Sequence, residues 1–523
     1  MIVEGRGLEA PLRLRTHTVV VGSGAGGAVV ARTLAEAGTA VLVLEEGGRF
    51  TAAQFTQREE EMFPALYRGA AQQHSEDGLV NVLQGSCYGG STVVNTADCV
   101  PIPSAVLAHW RRHFGVSLDE EELEASRARV YAALRVNRIP REQVNANNAL
   151  VLEAGERVGL ATGRFEHNRV GCVGSGYCLI GCAYDAKLGA HLTYLPAALA
   201  AGAEVYTDLR AERIERRAGG WLAVHGAVLE GGTRRARFPF RVLAERVVLA
   251  AGAIHTPALL LRSGLGRGLP ALGRNLSLQP QLPIVAGFDD GRRVELWRGI
   301  PQSAYASAAD DDEEHGLGGF HVEGINGAVA NAAALLPGFG PDHKRRMSRF
   351  AQQASALLLM PDRPSGSVSF EWREGGEVAP RIRYRMQAEW VARLRAGMRR
   401  AAELYFAAGA ATVGFTSDVF PDLAGPGDLD RIGRFPVLEG ATRFISAHPQ
   451  GTCRMGPDAR ASVVDTDHRV HGVPNLYIAD ASVMPTTAAT HTMVPIMTLA
   501  DRAARRMLAR GRPAGAALPG EGD

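Results

Sequence analysis

Gly22-Ser23-Gly24-Ala25-Gly26-Gly27 sets three glycines in the spacing GxGxxG. In such a turn Gly22 permits a tight bend, Gly24 lets the backbone approach a pyrophosphate, and Gly27 allows a helix to pack closely on a strand. A helix N-terminus at this point offers unpaired N–H groups and the positive end of a dipole to an anion. Glu45 follows eighteen residues after Gly27, where a carboxylate can accept both hydroxyls of an adenosine ribose. The combination describes a dinucleotide site and does not choose between a flavin and a nicotinamide. A second cluster, Cys172, Cys178 and Cys182, has the spacing C-x5-C-x3-C among glycines. Thiols so placed either ligate a metal cluster or fill a Gly-rich turn as small buried side chains. The 15 histidines supply candidate proton acceptors, because an unperturbed imidazole titrates near pH ~6.5. Residue type alone does not choose among them.

The elements that must carry these residues follow from patterning. Residues 17–22 read as a buried strand, 26–38 as a helix of small residues and 40–45 as a second strand, which makes a βαβ unit. Comparable strands at 244–250 and 475–480, and a helix at 494–509, put pieces of a parallel sheet at the start, middle and end of the chain. The expected fold is therefore α/β, with a Rossmann-like cofactor domain built from discontinuous segments, 16–99, 166–280 and 441–509. Segments 100–165 and 281–440 are assigned to an α+β substrate lobe with an antiparallel sheet. Residues 365–372 and 381–387 alternate as strands with one wet face do. The run Asp310, Asp311, Asp312, Glu313, Glu314 is expected as a solvated loop, residues 1–15 as a lead-in, and 510–523 as a flexible tail.

Bulk properties narrow the function classes. A chain of 523 residues with 46% hydrophobic and 21% charged residues is too long for one core. A net charge of +2 with no basic stripe gives no track for a phosphate backbone, so no nucleic acid partner is expected. No stretch reaches the roughly 18 to 20 apolar residues of a membrane span, and the first residues lack the apolar core of a signal peptide. Six cysteines suit a reducing compartment, and a cytoplasmic location is expected.

Three further segments, with the first, resemble the glucose–methanol–choline (GMC) oxidoreductases in order along nearly the whole chain. Gly85-Ser86-Cys87-Tyr88-Gly89-Gly90-Ser91-Thr92-Val93-Val94-Asn95 is similar to that family's first signature. Gly252-Ala253-Ile254-His255-Thr256-Pro257, with Ala251 before it and Ser263-Gly264 beyond, is similar to the second. The third is His448-Pro449-Gln450-Gly451-Thr452-Cys453-Arg454-Met455-Gly456, followed by Asn475 to Pro485 with Asp480 and Ala481. The resemblance implies FAD held by Gly22, Gly24, Gly27, Glu45, Gly85, Gly89, Gly90, Ser91, Asn95, Ala251, Gly252, Asp480 and Ala481. It implies oxidation of an alcohol to an aldehyde or ketone by hydride transfer to flavin N5, with O2 or an external acceptor taking the electrons onward.

The same resemblance picks out two histidines. His448 stands where the family has its active-site histidine, and His491 where it has a second His or an Asn. A neutral His448 would accept the hydroxyl proton while His491 shares it or hydrogen-bonds the alkoxide. Pro495 falls near the first turn of the last helix, whose N-terminus would favour negative charge on the reduced flavin. Gln279 replaces a family histidine. His191-Leu192-Thr193-Tyr194-Leu195-Pro196 and the cysteine segment resemble the long-chain fatty alcohol and cholesterol oxidase branch, which implies a hydrophobic or long-chain alcohol. The cysteine spacing also resembles the iron–sulfur segment of acceptor-linked sugar dehydrogenases, so that reading stays open, as does a non-redox, lyase-like member of the family. No metal ligand is assigned. Some relatives attach FAD through a histidine just before the signature asparagine, and here that residue is Val94. Denaturing the purified yellow protein should therefore release intact FAD into the supernatant, and flavin retained by the precipitated chain would overturn the reading of Val94.

Overall fold

The computed structural model describes residues 1–231, 234–308, 318–372 and 378–511. The acidic run 310–314 and the tail beyond 511 lie outside the described residues. The apolar run at the start forms the strand Leu12–Val21, whose last five residues are fully buried. Every buried Val or Leu of this kind contributes ~1.5–3 kcal/mol on leaving water. The strand is central in an eight-stranded sheet, between Val41–Leu44 and Ala236–Leu249. Glu204–Thr207 and Ile2–Glu4 extend the parallel run on one side, and Leu476–Ile478 pairs in parallel with Ala236–Leu249. Leu222–Leu229 and Leu209–Arg216 close the other edge antiparallel. The parallel strands thus come from the start, middle and end of the chain.

Helices Ala25–Glu36, Tyr194–Ala200 and Met493–Ala509 share one buried cluster on this sheet. The chain leaves Leu12–Val21 through Gly22, at φ +102°, and turns into the first helix. That helix sits so close to the sheet that a Cβ on Gly27 would lie 2.0 Å from Gly22 O, and one on Gly26 would lie 1.6 Å from Ala479 O. The Gly26 contact with the last strand was not read from the sequence.

A second eight-stranded sheet runs Val80–Val82, Phe444–Ser446, Gln281–Gly287, Gln353–Leu359, Phe320–Gly324, Ala304–Ala308 and Ala161–Arg164, with Thr412–Phe415 also paired to Gln281–Gly287. It is antiparallel except where Phe444–Ser446 meets Val80–Val82. Alternation sorts its faces. Leu282, Ile284, Ala286, Ala354, Ala356 and Leu358 join the core beneath helices Ala146–Arg157 and Ala388–Ala407. Gln281, Pro283, Val285, Gln353, Ser355 and Leu357 face a cavity on the other side.

The structure moves some sequence boundaries. Helices Ser104–Phe114 and Glu120–Leu134, placed by sequence in the substrate lobe, pack on the cofactor sheet instead. Val106, Trp110 and Leu123 enter one of its clusters and Val130 and Leu134 the other, and Arg129 pairs with Asp501 of the last helix. Conversely Val80–Val82 and Phe444–Ser446, from segments given to the cofactor domain, join the second sheet. The alternating segment 365–372 forms the strand Gly366–Trp372, and of 381–387 only the first three residues are strand, the end of Val378–Arg383; Gly366–Trp372 lies between Arg274–Leu276 and Val378–Arg383 in a separate three-stranded sheet.

Gly26→Ala should lower stability by about 1–3 kcal/mol, as overpacking does, because its methyl has no room against Ala479. Gly7→Ala, with nothing near its Cβ, should melt with the wild type. Equal urea midpoints for the two variants would show that the helix yields at no cost.

Candidate active site

The glycine-rich and acidic residues expected around a cofactor converge at the C-terminal ends of the parallel strands. Gly24 caps the helix Ala25–Glu36 with no side-chain hydrogen bond, so the first N–H groups of that helix are left to a ligand. A Cβ on Gly24 would meet nothing nearer than Gly90 Cα at 3.9 Å, which is the open space a pyrophosphate needs. Glu45, just past Val41–Leu44, is buried; its Oε2 accepts from Ser23 N at 2.9 Å and Ser23 Oγ at 2.6 Å, and its Oε1 from Gly47 N at 2.8 Å. Gly89 N donates to the same Ser23 Oγ at 2.9 Å. Glu45 therefore also fastens the first glycine motif to the second, a role the spacing did not disclose. Burial pushes its carboxyl upward against these donors.

Asp480 follows Leu476–Ile478 and clamps two strand ends. Its Oδ2 accepts from Gly252 N at 3.0 Å and Thr256 Oγ1 at 2.6 Å, and its Oδ1 from Ser482 N at 2.9 Å. Ala251 caps the helix Gly252–Arg262, and Ala481 opens a short 3-10 turn. Gly85 is pressed against the loop it opens: a Cβ there would lie 2.7 Å from Ser91 N. Lys187, almost wholly buried, donates through Nζ to Val93 O and Asn95 O at 2.7 Å and to Cys178 O at 2.8 Å. It holds the segment Val93–Asn95 in place.

Gly85, Ser91, Val94 and Asn95 line a cavity of about 210 Å³ whose opposite wall is the second sheet, and His448 and His491 both open onto it. Their rings meet edge to face with centroids 5.3 Å apart. His448 sits two residues past Phe444–Ser446, and its Nδ1 lies 2.9 Å from Gln279 Oε1. An amide oxygen only accepts, so Nδ1 carries the proton and Nε2 keeps a free lone pair. Gln279, the departure from the family's histidine, thus orients the His448 ring. His491 stands two residues before the last helix, next to its N-cap Thr492. Its Nε2 is 3.0 Å from Glu323 Oε2 and its Nδ1 is 3.8 Å from Asp98 Oδ2.

The two rings are electrostatically opposite. Burial alone would discharge His491, but Glu323 and Asp98 outweigh it and raise the ring to about 9. Burial, reinforced by the charge on His491, depresses His448 to about 3. Glu323 is held down to about 2 despite its burial, chiefly by His491, and Asp98 is likewise kept ionised by His491 and His167. At neutral pH the site holds one acceptor imidazole and one imidazolium. Of the two roles expected for His491, sharing the proton or hydrogen-bonding the alkoxide, the flanking carboxylates favour the second, in which the ring donates. Asp98 and Glu323 were missed. The available signal was an acid next to Val322 within the strand Phe320–Gly324 and another three residues past Asn95.

The remaining thiols are quiet. Burial pushes Cys87 and Cys99 up, and all six cysteines are free. Cys172, Cys178 and Cys182 line one small recess with Arg169 and Lys187. Among the described residues no three His, Cys, Asp or Glu side chains are disposed to hold a metal ion, and no helix is long and apolar enough to cross a membrane.

The GMC oxidoreductase family models match residues 19–281 and 362–500. An uncharacterised GMC-type oxidoreductase of Mycobacterium tuberculosis is 36% identical over 513 residues, 96% of this chain and 77% of that protein. A long-chain-alcohol oxidase of Arabidopsis thaliana is 30% identical over 520 residues, 93% of this chain and 66% of its own. Pyridoxine 4-oxidase from Mesorbium loti shares the fold at a TM-score of 0.67 and 21% identity, with 94% of this chain and 99% of that one covered. The chain belongs to the GMC oxidoreductases, flavoenzymes that bind FAD.

Its own residues fit that cofactor. Asn95 Oδ1 and Ser86 Oγ are buried without protein partners, and Asn95 lines the cavity together with Ala25, the first residue of a helix that no side chain caps and before which Gly24 leaves open space. Glu45→Ala should weaken FAD binding at least about tenfold, because it removes charge-assisted bonds worth ~1.5–3 kcal/mol that join both glycine motifs. Titration of the apoprotein with FAD checks this; unchanged affinity would show that the two motifs hold together without the carboxylate.

Proposed function

We propose that this chain oxidises a primary or secondary alcohol to an aldehyde or ketone, with O2 or an external acceptor reoxidising the flavin. The observation that carries the proposal is the placement of His448 against the Gln279 amide and of His491 between Glu323 and Asp98, on one cavity beside the Ser91–Asn95 loop. FAD, when bound, supplies the acceptor for the two electrons and hydrogen that leave the carbinol carbon. His448 takes the hydroxyl proton at Nε2, in step with the carbon–hydrogen cleavage that alkoxide character permits. His491, unable to accept a proton while charged, donates towards the oxygen as negative charge grows there. The residues given above around the glycine motifs and Asp480 are the proposed FAD site, with the cofactor held non-covalently because Val94 offers no nucleophile.

A hydrophobic or long-chain alcohol is the preferred substrate. Support comes from the apolar wall, which includes Leu83, Val285, Leu296, Ile325 and Leu336, and from relatives named as long-chain-alcohol oxidases in Arabidopsis thaliana at 30% and 28% identity. A cytoplasmic setting, where six free thiols stay reduced, completes the proposal.

Stopped-flow reduction of the bound flavin across an alcohol panel tests it; flavin that stays oxidised with every alcohol would favour a non-redox chemistry instead. His448→Ala should slow reduction at least about 10²-fold at every pH while FAD stays bound. In the wild type the rate should be level through neutrality and fall as pH rises past about 9, where His491 loses its proton. His491→Asn should lose that alkaline limb and some ~3–5 kcal/mol of stability, since it leaves two buried carboxylates unpaired. A His448→Ala rate close to the wild type would remove His448 as the base.

A further inference from the structure

Behind His491 lies a buried array that the proposed chemistry does not use directly. Asp98 Oδ1 is 2.8 Å from His167 Nε2, and its Oδ2 accepts from Thr96 Oγ1 at 2.5 Å. On the far side of the His167 ring, Arg169 donates to Nδ1. Arg169 also donates to Thr96 O at 2.5 Å and towards Cys178 Sγ at 3.3 Å. Asp98, His167 and Arg169 are all buried, at 3%, 1% and 6% exposure. Buried guanidiniums are normally paired with an anion. Among the described residues, Arg169 forms no ion pair with a carboxylate; its nearest counter-charge in this chain of contacts is Asp98, one imidazole away.

The contacts fix the state of that imidazole. A guanidinium only donates, so Nδ1 of His167 is an acceptor and the ring proton sits on Nε2, aimed at Asp98. The buried cluster then balances as two carboxylates, Asp98 and Glu323, against two cations, His491 and Arg169. We infer that Arg169 and His167 are positioning residues for the reaction: Arg169 locks His167 as the neutral Nε2–H tautomer, and His167 holds Asp98 as the anion that keeps His491 charged. The inference rests on the proposed oxidation for its kinetic readout but not for its spectroscopic one. Burial and the adjacent Arg169 depress His167 to about 4 despite Asp98, in agreement with a ring that stays neutral. The other groups facing this array are His448 and Phe165 against His491, the half-exposed His321 against Glu323, the buried Cys99 thiol beside Asp98, which burial and Asp98 keep protonated, and Cys172, Cys178 and Lys187 beyond Arg169. None of these lies between Arg169 and Asp98.

Removing the guanidinium leaves two carboxylates against one cation, and His167 is then the group placed to take up a proton. In the wild-type holoenzyme, selectively labelled histidine should show a His167 resonance that does not titrate between about pH 5 and 9. In R169M the same resonance should titrate within that interval, and flavin reduction should gain an inflection there. R169K, which keeps a donor and a charge, should restore the silent resonance, and R169M/H167Q should lose the inflection. C178A should behave as wild type; an R169M-like profile in C178A would make the thiol, not Asp98, the counter-charge and overturn the inference. So would a His167 that titrates in the wild type, or an R169M resonance that stays silent. Because R169M also removes the bond to Thr96 O, D98N gives an independent arm: the alkaline limb assigned to His491 should move down by at least about one pH unit, and an unmoved limb overturns the role of Asp98. Histidine titrations as expected, in an enzyme that no alcohol reduces, would sink the proposed oxidation and leave the array standing.

Discussion

The charge on His491 is the constraint around which the site is organised. Two buried carboxylates, Glu323 from the second sheet and Asp98 from the loop after Asn95, flank a single imidazole. At an effective dielectric of ~20, two opposite charges ~3 Å apart attract by roughly 5 kcal/mol, a gain comparable with the several kcal/mol that desolvating each ion costs. Such a cluster adds little net stability. Its effect is on selection of state, because losing any one member leaves an uncompensated charge in the interior at a cost of about 3–5 kcal/mol. Glu323 is held twice over, since Gln302 Nε2 donates to its Oε2 at 2.7 Å.

The second sheet makes this placement possible. Its strands are apolar on the face that packs against Ala146–Arg157 and Ala388–Ala407, and mixed on the face towards the cavity, so residue parity decides which side chains reach the site. Val322 enters the core and Glu323, its neighbour, reaches His491. A register slip of one residue would exchange them. The same rule sets Gln281 on the cavity face, while Leu282 turns into the core. The cofactor sheet works by a different rule: its parallel strands are buried on both faces where they approach the site, as at Val19–Val21, Val41–Leu44 and Leu476–Ile478, and what matters is where they end, because Gly22, Glu45, Ala251 and Asp480 all stand at or just past strand termini on one edge.

That difference explains what could be read from the sequence. The cofactor half was legible because its requirements are local: a turn at φ +102° at Gly22, a helix start, an acid after the next strand. That pieces of a parallel sheet come from the start, middle and end of the chain was readable for the same reason, whereas the order of the strands, with Ile2–Glu4 and Glu204–Thr207 among them, was not. The packing of Ser104–Phe114 and Glu120–Leu134 was not, because an amphipathic helix does not name the sheet it covers. Asp98, Glu323, His167 and Arg169 were hidden more deeply. Glu323 is 168 residues from His491 and His167 is 69 from Asp98, and no spacing rule links positions that only strand pairing brings together. Gln279 was noticed as a departure from the family pattern, yet its contact with His448 required the fold.

The asymmetry of the two histidines follows from the carboxylates and not from the histidines themselves. With rings 5.3 Å apart in a buried site, a second positive charge would be repelled by the first, so at most one ring holds a proton it does not need for neutrality. Without an anion nearby, burial would make both neutral, and either could accept a proton from a substrate. Glu323 and Asp98 both contact the His491 ring, whereas His448 meets the amide of Gln279. The charge therefore settles on His491 and excludes His448 from sharing it. In the proposed chemistry this division is what lets neighbouring imidazoles act as acceptor and donor at the same pH, a separation that two isolated histidines with the same intrinsic affinity for protons would not produce.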